Sequence, residues 1–214
     1  MHHVTRTTSS TFSEMIRLAC KIPIKVAVAV SGGRDSMACL DFLRNGKKEL
    51  SVLHFNHGTQ HAKDAEKTVR SYCERYNLHL EIGNISSEPK KCQSLEDFWR
   101  KQRYSWFEST GHGSIVTCHH LNDAVEWWVM TSLRGNPKLI PTRRDRFIRP
   151  FLLTTRDELA DWTTRKDIEW AQDPSNDDTD YDRNYVRHTM MPHILRINPG
   201  IEKTLIKLIE SKNN

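Results

Sequence analysis

Residues 24–36 read IKVAVAVSGGRDS, and this stretch decides the fold. Ile24–Val30 is a short run rich in valine and apolar apart from Lys25 near its start, as suits a strand covered on both faces. Ser31-Gly32-Gly33 supplies a sharp turn, and Met37, Leu40 and Leu43 then recur at helical spacing. The stretch reads strand, tight turn, helix. The same alternation runs outward through SVLHF at 51–55, a helix from about Lys63 to Tyr76, LHLEI at 78–82, a helix near Ser94–Ser109, SIVTC at 114–118 and a helix over Leu121–Ser132. Near-continuous apolar strands alternating with helices predict an α/β fold, a doubly wound parallel sheet with flanking helices. Beyond Leu133 the pattern changes. Arg134–Arg149 carries six Lys/Arg with Pro137 and Pro141 inside it and reads as a basic surface loop. A helix from about Thr155 to Lys166, a loop with five Asp between Asp173 and Asp182, and helices from about Arg183 and Pro199 form a small C-terminal helical extension. The expected division is an N-terminal extension at 1–23, a catalytic domain at 24–150 and a helical extension at 151–214.

A chain of 214 residues with 37% hydrophobic and 28% charged residues suits one ordinary domain with an appendage, and excludes collagen-like and wholly disordered classes. No apolar run approaches a membrane span. The balance of 32 Lys+Arg against 27 Asp+Glu leaves +5, which favours a polyanionic partner. Cys20, Cys39, Cys73, Cys92 and Cys118 are odd in number and never paired as C-x-x-C, so neither a disulfide framework nor a cysteine-rich metal site is expected. A reducing, cytoplasmic setting fits, and Met1–Ser10 lacks the apolar core of a secretory signal.

Ser31-Gly32-Gly33-Arg34-Asp35-Ser36 sits directly after a buried strand and before a helix. Glycines let a backbone turn sharply and approach a ligand, and the first amides of the next helix lack intrahelical acceptors, so they suit phosphate oxygens. Ser31 and Ser36 add hydroxyls. The tripeptide alone would be only a turn with Asp35 or Ser36 capping the helix; the hexapeptide in this context favours a phosphate loop. It lacks the Gly-Lys-Ser/Thr of a Walker loop and the third glycine of a dinucleotide fingerprint. It resembles the SGGxDS loop of the PP-loop ATP pyrophosphatase superfamily, a Rossmann-like fold whose members split ATP into AMP and pyrophosphate. That resemblance implies pyrophosphate on Ser31, Gly32, Gly33, Arg34, Asp35 and Ser36, with Asp35 near magnesium.

Other blocks are weaker singly. His54 and His57 in LHFNHG are ordinary strand-end residues or a weak metal pair without a third ligand. Glu96, Arg100 and Arg103 share one helix face, as a solvated salt-bridged face would. His119, Asn122, Asp123 and Glu126 in HHLNDAVE cluster at a strand-to-helix junction, where Asn122 or Asp123 could cap the helix. Arg183 and Arg187 follow the acidic DPSN loop at Asp173–Asn176. In order, SGGRDS, HFNHG, E-x-x-x-R-x-x-RY, HHLNDAVE, LRG at 133–135, IRPFL at 148–152, and DPSN with RNYVR resemble the tRNA(Ile)-lysidine synthetase family over roughly residues 24–195.

That resemblance implies an ATP- and magnesium-dependent ligation of free L-lysine to C2 of the wobble cytidine of tRNA(Ile) with a CAU anticodon, through an adenylated cytidine. It implies catalytic roles for Asp35, Asp123, Glu126, Arg183 and Arg187, nucleotide contacts from His57 and His119, and tRNA contacts from Arg100, Arg103, Tyr104, Arg134, Arg143 and Arg144. Asp123 and Glu126, three apart on a helix, suit one ammonium group. Arg183 and Arg187 suit either tRNA phosphate or the lysine carboxylate. The chain departs from the family pattern at Asn122, where paired acids are expected, and in a short 135–141 connection. Its length is also expected to leave out the C-terminal domains, so that tRNA discrimination rests on the anticodon arm or on a partner. The alternatives are another PP-loop tRNA-modifying enzyme such as a thiolase, or an impaired tRNA- or nucleotide-binding remnant.

Overall fold

The computed structural model describes residues 16–89, 94–172 and 182–213. Its elements are β1 Lys25–Ala29, α1 Arg34–Asn45, β2 Glu49–Asn56, α2 Gln60–Arg75, β3 His79–Asn84, α3 Leu95–Ser109, β4 Ile115–Thr117, α4 Leu121–Leu133, β5 Arg143–Arg144 and β6 Phe147–Ile148. A 3-10 turn over Pro150–Leu153 leads to α5 Arg156–Lys166. Then come α6 Asp182–Tyr185, a π-helical turn Val186–Met190, α7 Met191–Ile197 and α8 Ile201–Asn213.

The six strands form one sheet in the order β3-β2-β1-β4-β6-β5. Val28 aligns with Val52 on one side and Val116 on the other, and all pairings are parallel except β5 with β6. The sheet is therefore mostly parallel with flanking helices, as expected, and carries one antiparallel edge in addition. The basic 134–149 segment is not simply a surface loop. Its end folds back as the β5–β6 hairpin, which buries Phe147, Ile148 and Arg149 while Arg143 and Arg144 stay exposed.

Period-two alternation along β1 assigns each face its helices. Val26, Val28 and Val30 bury with α1, α2 and α5 residues such as Met37, Leu40, Val69 and Leu159. Ala27 and Ala29 turn to the opposite face, against Leu53, Phe107 of α3, Ile115 and Phe147. Full burial of each such aliphatic side chain contributes about 1.5–3 kcal/mol. Phe151, Leu159 and Ile168 lie in the same core as α1, so residues 151–172 complete the sheet layer rather than hang from it. The helices after residue 182 pack on α4 instead, with Leu121 and Val125 against Val186, Ile201 and Leu205. No helix among the described residues is long and apolar enough to cross a membrane.

Successive connections leave β1 in one direction to β2 and β3, then return to its other side at β4. The crevice outside the carboxyl ends of β1 and β4 is thus the topological switch point, where open α/β sheets bind ligands.

Candidate active site

The loop after β1 is built from backbone geometry and two hydroxyls. Gly32 has φ +88°, and a Cβ there would come within 2.8 Å of Ala65 Cβ on α2, so the residue must be glycine for both conformation and packing. Its carbonyl accepts from the Ala171 amide at 2.9 Å. Its tight approach is to α2 rather than to a ligand. Ser36 Oγ donates to the Gly33 carbonyl at 2.8 Å and lies 3.0 Å from Ser31 Oγ, so the two serines brace the loop from inside. Gly33 is the N-cap of α1, in place of Asp35 or Ser36, and offers no side-chain cap. The first amides of α1 are left facing the crevice without the usual capping oxygen.

His54 supports the loop from β2. Its Nδ1–H donates to the Val30 carbonyl at 2.9 Å, and burial holds its pKa down, keeping the ring neutral. Asp35 projects from the first turn of α1. Burial works to raise its pKa, but His120, Arg156 and Arg34 overcome this and hold it below the usual carboxylate range. Asp35 Oδ2 lies 3.4 Å from His120 Nε2 and 3.9 Å from Arg156 Nε, while its buried Oδ1 has no hydrogen-bond partner. One unfilled carboxylate oxygen beside a phosphate loop fits magnesium, which is bound by one or two carboxylates plus substrate phosphates rather than by a dedicated cage. No cluster of three or more His, Cys, Asp or Glu able to hold a metal occurs among the described residues.

His120 is a residue the sequence reading passed over in favour of His119. It is the N-cap of α4: its Nδ1 accepts from the Asp123 amide at 3.3 Å, and its own amide donates to Asp123 Oδ2 at 3.0 Å. An accepting Nδ1 puts the neutral ring's proton on Nε2, which faces both Asp35 Oδ2 and Asp123 Oδ1, the latter at 3.5 Å. One imidazole thus links the loop after β1 to the helix after β4. His119 hydrogen-bonds Thr117 Oγ1 at 3.1 Å, and burial pushes its pKa down to about 3. It stays neutral across the physiological range.

Asp123 and Glu126 come together as their spacing predicted, but Asn122 does not join them. Its Oδ1 accepts from the Arg156 amide at 2.8 Å and its Nδ2 donates to Glu202 at 3.2 Å. The two acids are buried and engaged by Arg183 and Arg187. Arg183 meets Asp123 Oδ1 at 2.5 Å and Glu126 Oε2 at 3.3 Å. Arg187 grips Glu126 with Nε at 2.7 Å and a terminal nitrogen at 2.9 Å. Burial tends to raise the Asp123 pKa, but His120 and Arg183 hold it far below the usual range. Arg156, also missed from sequence because it lies some thirty residues on, stands between Glu126 Oε1 at 3.8 Å and Asp35. Three carboxylates therefore face three guanidiniums around His120 in a partly buried site.

The residues expected to meet tRNA fall into two groups. Arg103 is drawn into the site, its guanidinium 3.4 Å from His57 Nε2, and Arg100 lies over the Tyr104 ring at 4.8 Å. Tyr104 packs on Phe107 and Phe147, at 5.9 and 4.9 Å between centroids, so its half-buried ring rests against the core. Arg143 and Arg144 are exposed on the hairpin, and exposed Arg134 pairs with Asp182 at 3.0 Å. The Asp173–Asn176 motif, most of the acidic loop, Cys92 and residues 1–15 lie outside the described residues.

The profile of the PP-loop domain family matches residues 3–194. Among curated proteins the chain is 32% identical over 203 residues to tRNA(Ile)-lysidine synthase of Persephonella marina, covering 86% of this chain and 44% of that one. It is 31% identical over 200 residues to tRNA(Ile)-lysidine synthase of a Thermotoga species, covering 86% and 48%. The chain thus spans less than half the length of these relatives. Among solved structures it resembles the U34-tRNA thiolase NcsA of Methanococcus maripaludis, solved with its 4Fe-4S cluster, at a TM-score of 0.71 and 17% identity, covering 90% of this chain and 73% of that one. At that identity the likeness is one of fold.

Proposed function

The chain belongs to the PP-loop domain family, an ATP-binding enzyme family, and on that premise we propose that it joins free lysine to C2 of the wobble cytidine of tRNA(Ile) with a CAU anticodon, releasing AMP and pyrophosphate. One observation carries this reading. The phosphate loop with Asp35 and the acid pair Asp123–Glu126 meet at a single switch point, bridged by His120, in a chain about 30% identical to lysidine synthases.

In the first step the C2 carbonyl oxygen of cytosine attacks the α-phosphate, the bond to the bridging oxygen breaks, and pyrophosphate leaves. Charge accumulates on phosphoryl oxygens, where the uncapped amides of α1, the helix dipole and Arg156 are suited to stabilise it. Magnesium, when bound, would be held by Asp35 and would neutralise phosphate charge.

In the second step the lysine ε-amine attacks the activated C2, and AMP leaves with the former C2 oxygen. The ammonium, whose ordinary pKa is about 10.4, must first lose a proton. Asp123, held strongly ionised, is suited to orient the ammonium, which leaves Glu126 as the proton acceptor. Both acids are paired with arginines before substrate arrives. The carboxylate of an incoming lysine, or a tRNA phosphate, would compete for those guanidiniums and release a protein carboxylate for the lysine ammonium. The wobble base must leave its stack to reach the α-phosphate, so recognition of a splayed anticodon loop suits the site. Arg143 and Arg144 are placed to hold its backbone.

The test is an incubation of purified protein with unmodified tRNA(Ile) bearing CAU, ATP, magnesium and labelled lysine. The expected result is tRNA-dependent pyrophosphate release with label incorporated at the wobble base. Pyrophosphate release without lysine incorporation would refute the ligase reading and leave another PP-loop tRNA modification.

A further inference from the structure

Asn122 follows the capping residue of α4 by two positions, yet it turns away from Asp123 and ties three helices together. Its Oδ1 accepts from the backbone amide of Arg156, the first residue of α5, at 2.8 Å. Its Nδ2 donates to Glu202 Oε1 on α8 at 3.2 Å. One residue earlier, the Leu121 amide donates to the Thr154 carbonyl at 2.8 Å, so the starts of α4 and α5 are clamped by two adjacent bonds.

The clamp aims Arg156. Its guanidinium lies 3.9 Å from Asp35 and 3.8 Å from Glu126, beyond hydrogen-bond reach of either. Its donors make no side-chain hydrogen bond to the described residues, although its charge is partly buried. A planar fork of unused N–H donors beside the Ser31–Ser36 loop matches phosphate oxygens.

We propose that Asn122 is a positioning residue of the nucleotide site: by holding the first amide of α5 it keeps Arg156 aimed at the phosphate loop, and Glu202 is the reason this residue is an amide. An amide accepts from Arg156 and donates to Glu202 at once, which an ionised carboxylate cannot do. A carboxylate at 122 would keep the first bond but oppose Glu202 at about hydrogen-bond distance, and like charges there repel. Burial, and after it the nearby acids Asp157 and Glu158, raise the Glu202 pKa. The site geometry is in this way linked to α8. The inference rests on the ATP-site reading and is independent of lysine transfer to tRNA.

The experiment is calorimetric titration of the full chain with ATP and magnesium, alongside melting temperatures. Arg156→Ala should weaken ATP binding about tenfold or more, as loss of a hydrogen bond to a charged group would. Asn122→Ala and Asn122→Asp should each weaken it several-fold, and in turnover assays should raise KM for ATP more than they lower kcat. Adding Glu202→Gln to Asn122→Asp should restore affinity to within about twofold, since the new side-chain amide can donate to the new carboxylate. Unchanged affinity in Asn122→Asp or Arg156→Ala, failure of the double variant to recover, or a lowered melting temperature with ATP affinity intact would each overturn the proposal. Absence of ATP binding by the unaltered chain would overturn this proposal and the ATP reading together. ATP binding without lysine incorporation would defeat the ligase reading alone.

Discussion

Arg187 holds Glu126 by both carboxylate oxygens, at 2.7 and 2.9 Å, and does so from a π-helical turn that is itself anchored by buried Val186. The fork joins the segment after residue 182 to α4, so the arginines that complete the acid cluster also fasten the C-terminal helices to the sheet. Arg187→Met should lower stability by about 1.5–3 kcal/mol, the range for removing hydrogen bonds to a charged group. Chemical denaturation measures it. ATP affinity should fall much less than lysine incorporation; an equal loss of both would reject separate nucleotide and lysine regions.

His120→Asn separates capping from the contact with Asp35. Asparagine is a good N-cap, so the denaturation midpoint should stay within about 0.5 kcal/mol of the unaltered protein. The Nε2–H facing Asp35 Oδ2 is lost, so tRNA-dependent pyrophosphate release should drop at least about tenfold. Full activity in this variant would remove His120 from the site.

The two glycines of the loop should respond differently. Gly32→Ala places a Cβ against Ala65 at positive φ and should cost about 1–3 kcal/mol in a melt or denaturant series. Gly33→Ala meets nothing closer than Ser31 Oγ at 3.6 Å at an ordinary φ of −74°, so stability should hold. A fall in ATP affinity without loss of stability in Gly33→Ala would place phosphate close to that residue, and unchanged affinity would place it elsewhere.

Stability should decline as pH falls below about 6.5. His119, pushed down to about 3, and His54, also lowered, remain neutral in the folded chain while the unfolded chain binds protons. Each stabilising contribution is present above the unfolded histidine pKa and is lost on acidification, at up to about 1.4 kcal/mol per pH unit per histidine. Asp35 and Asp123, with lowered pKa values, add a loss at lower pH as they protonate. Denaturation midpoints at pH 5 and pH 7.5 test this, and His119→Asn should reduce the difference between them.

Arg143→Ala with Arg144→Ala should leave the fold intact, since both side chains are exposed on an edge strand. It should weaken tRNA binding and flatten its dependence on salt, because each lost phosphate contact removes about one released counterion. Identical affinities across a salt titration would free the hairpin of that role.

The core architecture was legible because its signals are local. A β-branched run followed by Gly-Gly and helical spacing specifies strand, turn and helix within a dozen residues, and repetition of that unit specifies a sheet covered on both faces. The pairing of Asp123 with Glu126 was likewise a matter of helix pitch. The β5–β6 hairpin was not legible, because two-residue strands carry no period and the surrounding arginines mask Phe147 and Ile148. Tyr104 beside Arg100 and Arg103 read as a nucleic-acid platform for the same reason: sequence shows the charged neighbours but not Phe107 and Phe147 beneath the ring.

The sequence carried the phosphate loop, the order of the elements and the chemical types assembled at the strand ends. Which side chains face one another was settled by the fold, through contacts between residues far apart in the chain. Of two adjacent histidines, the one whose ring caps α4 faces Asp35, and its neighbour turns to Thr117. Asn122 is drawn to Glu202, eighty residues away, and Arg156 reaches the loop after β1 because α5 packs on α1. Periodicity fixes a residue's direction about its own helix axis; the partner it meets there depends on how separate elements are packed.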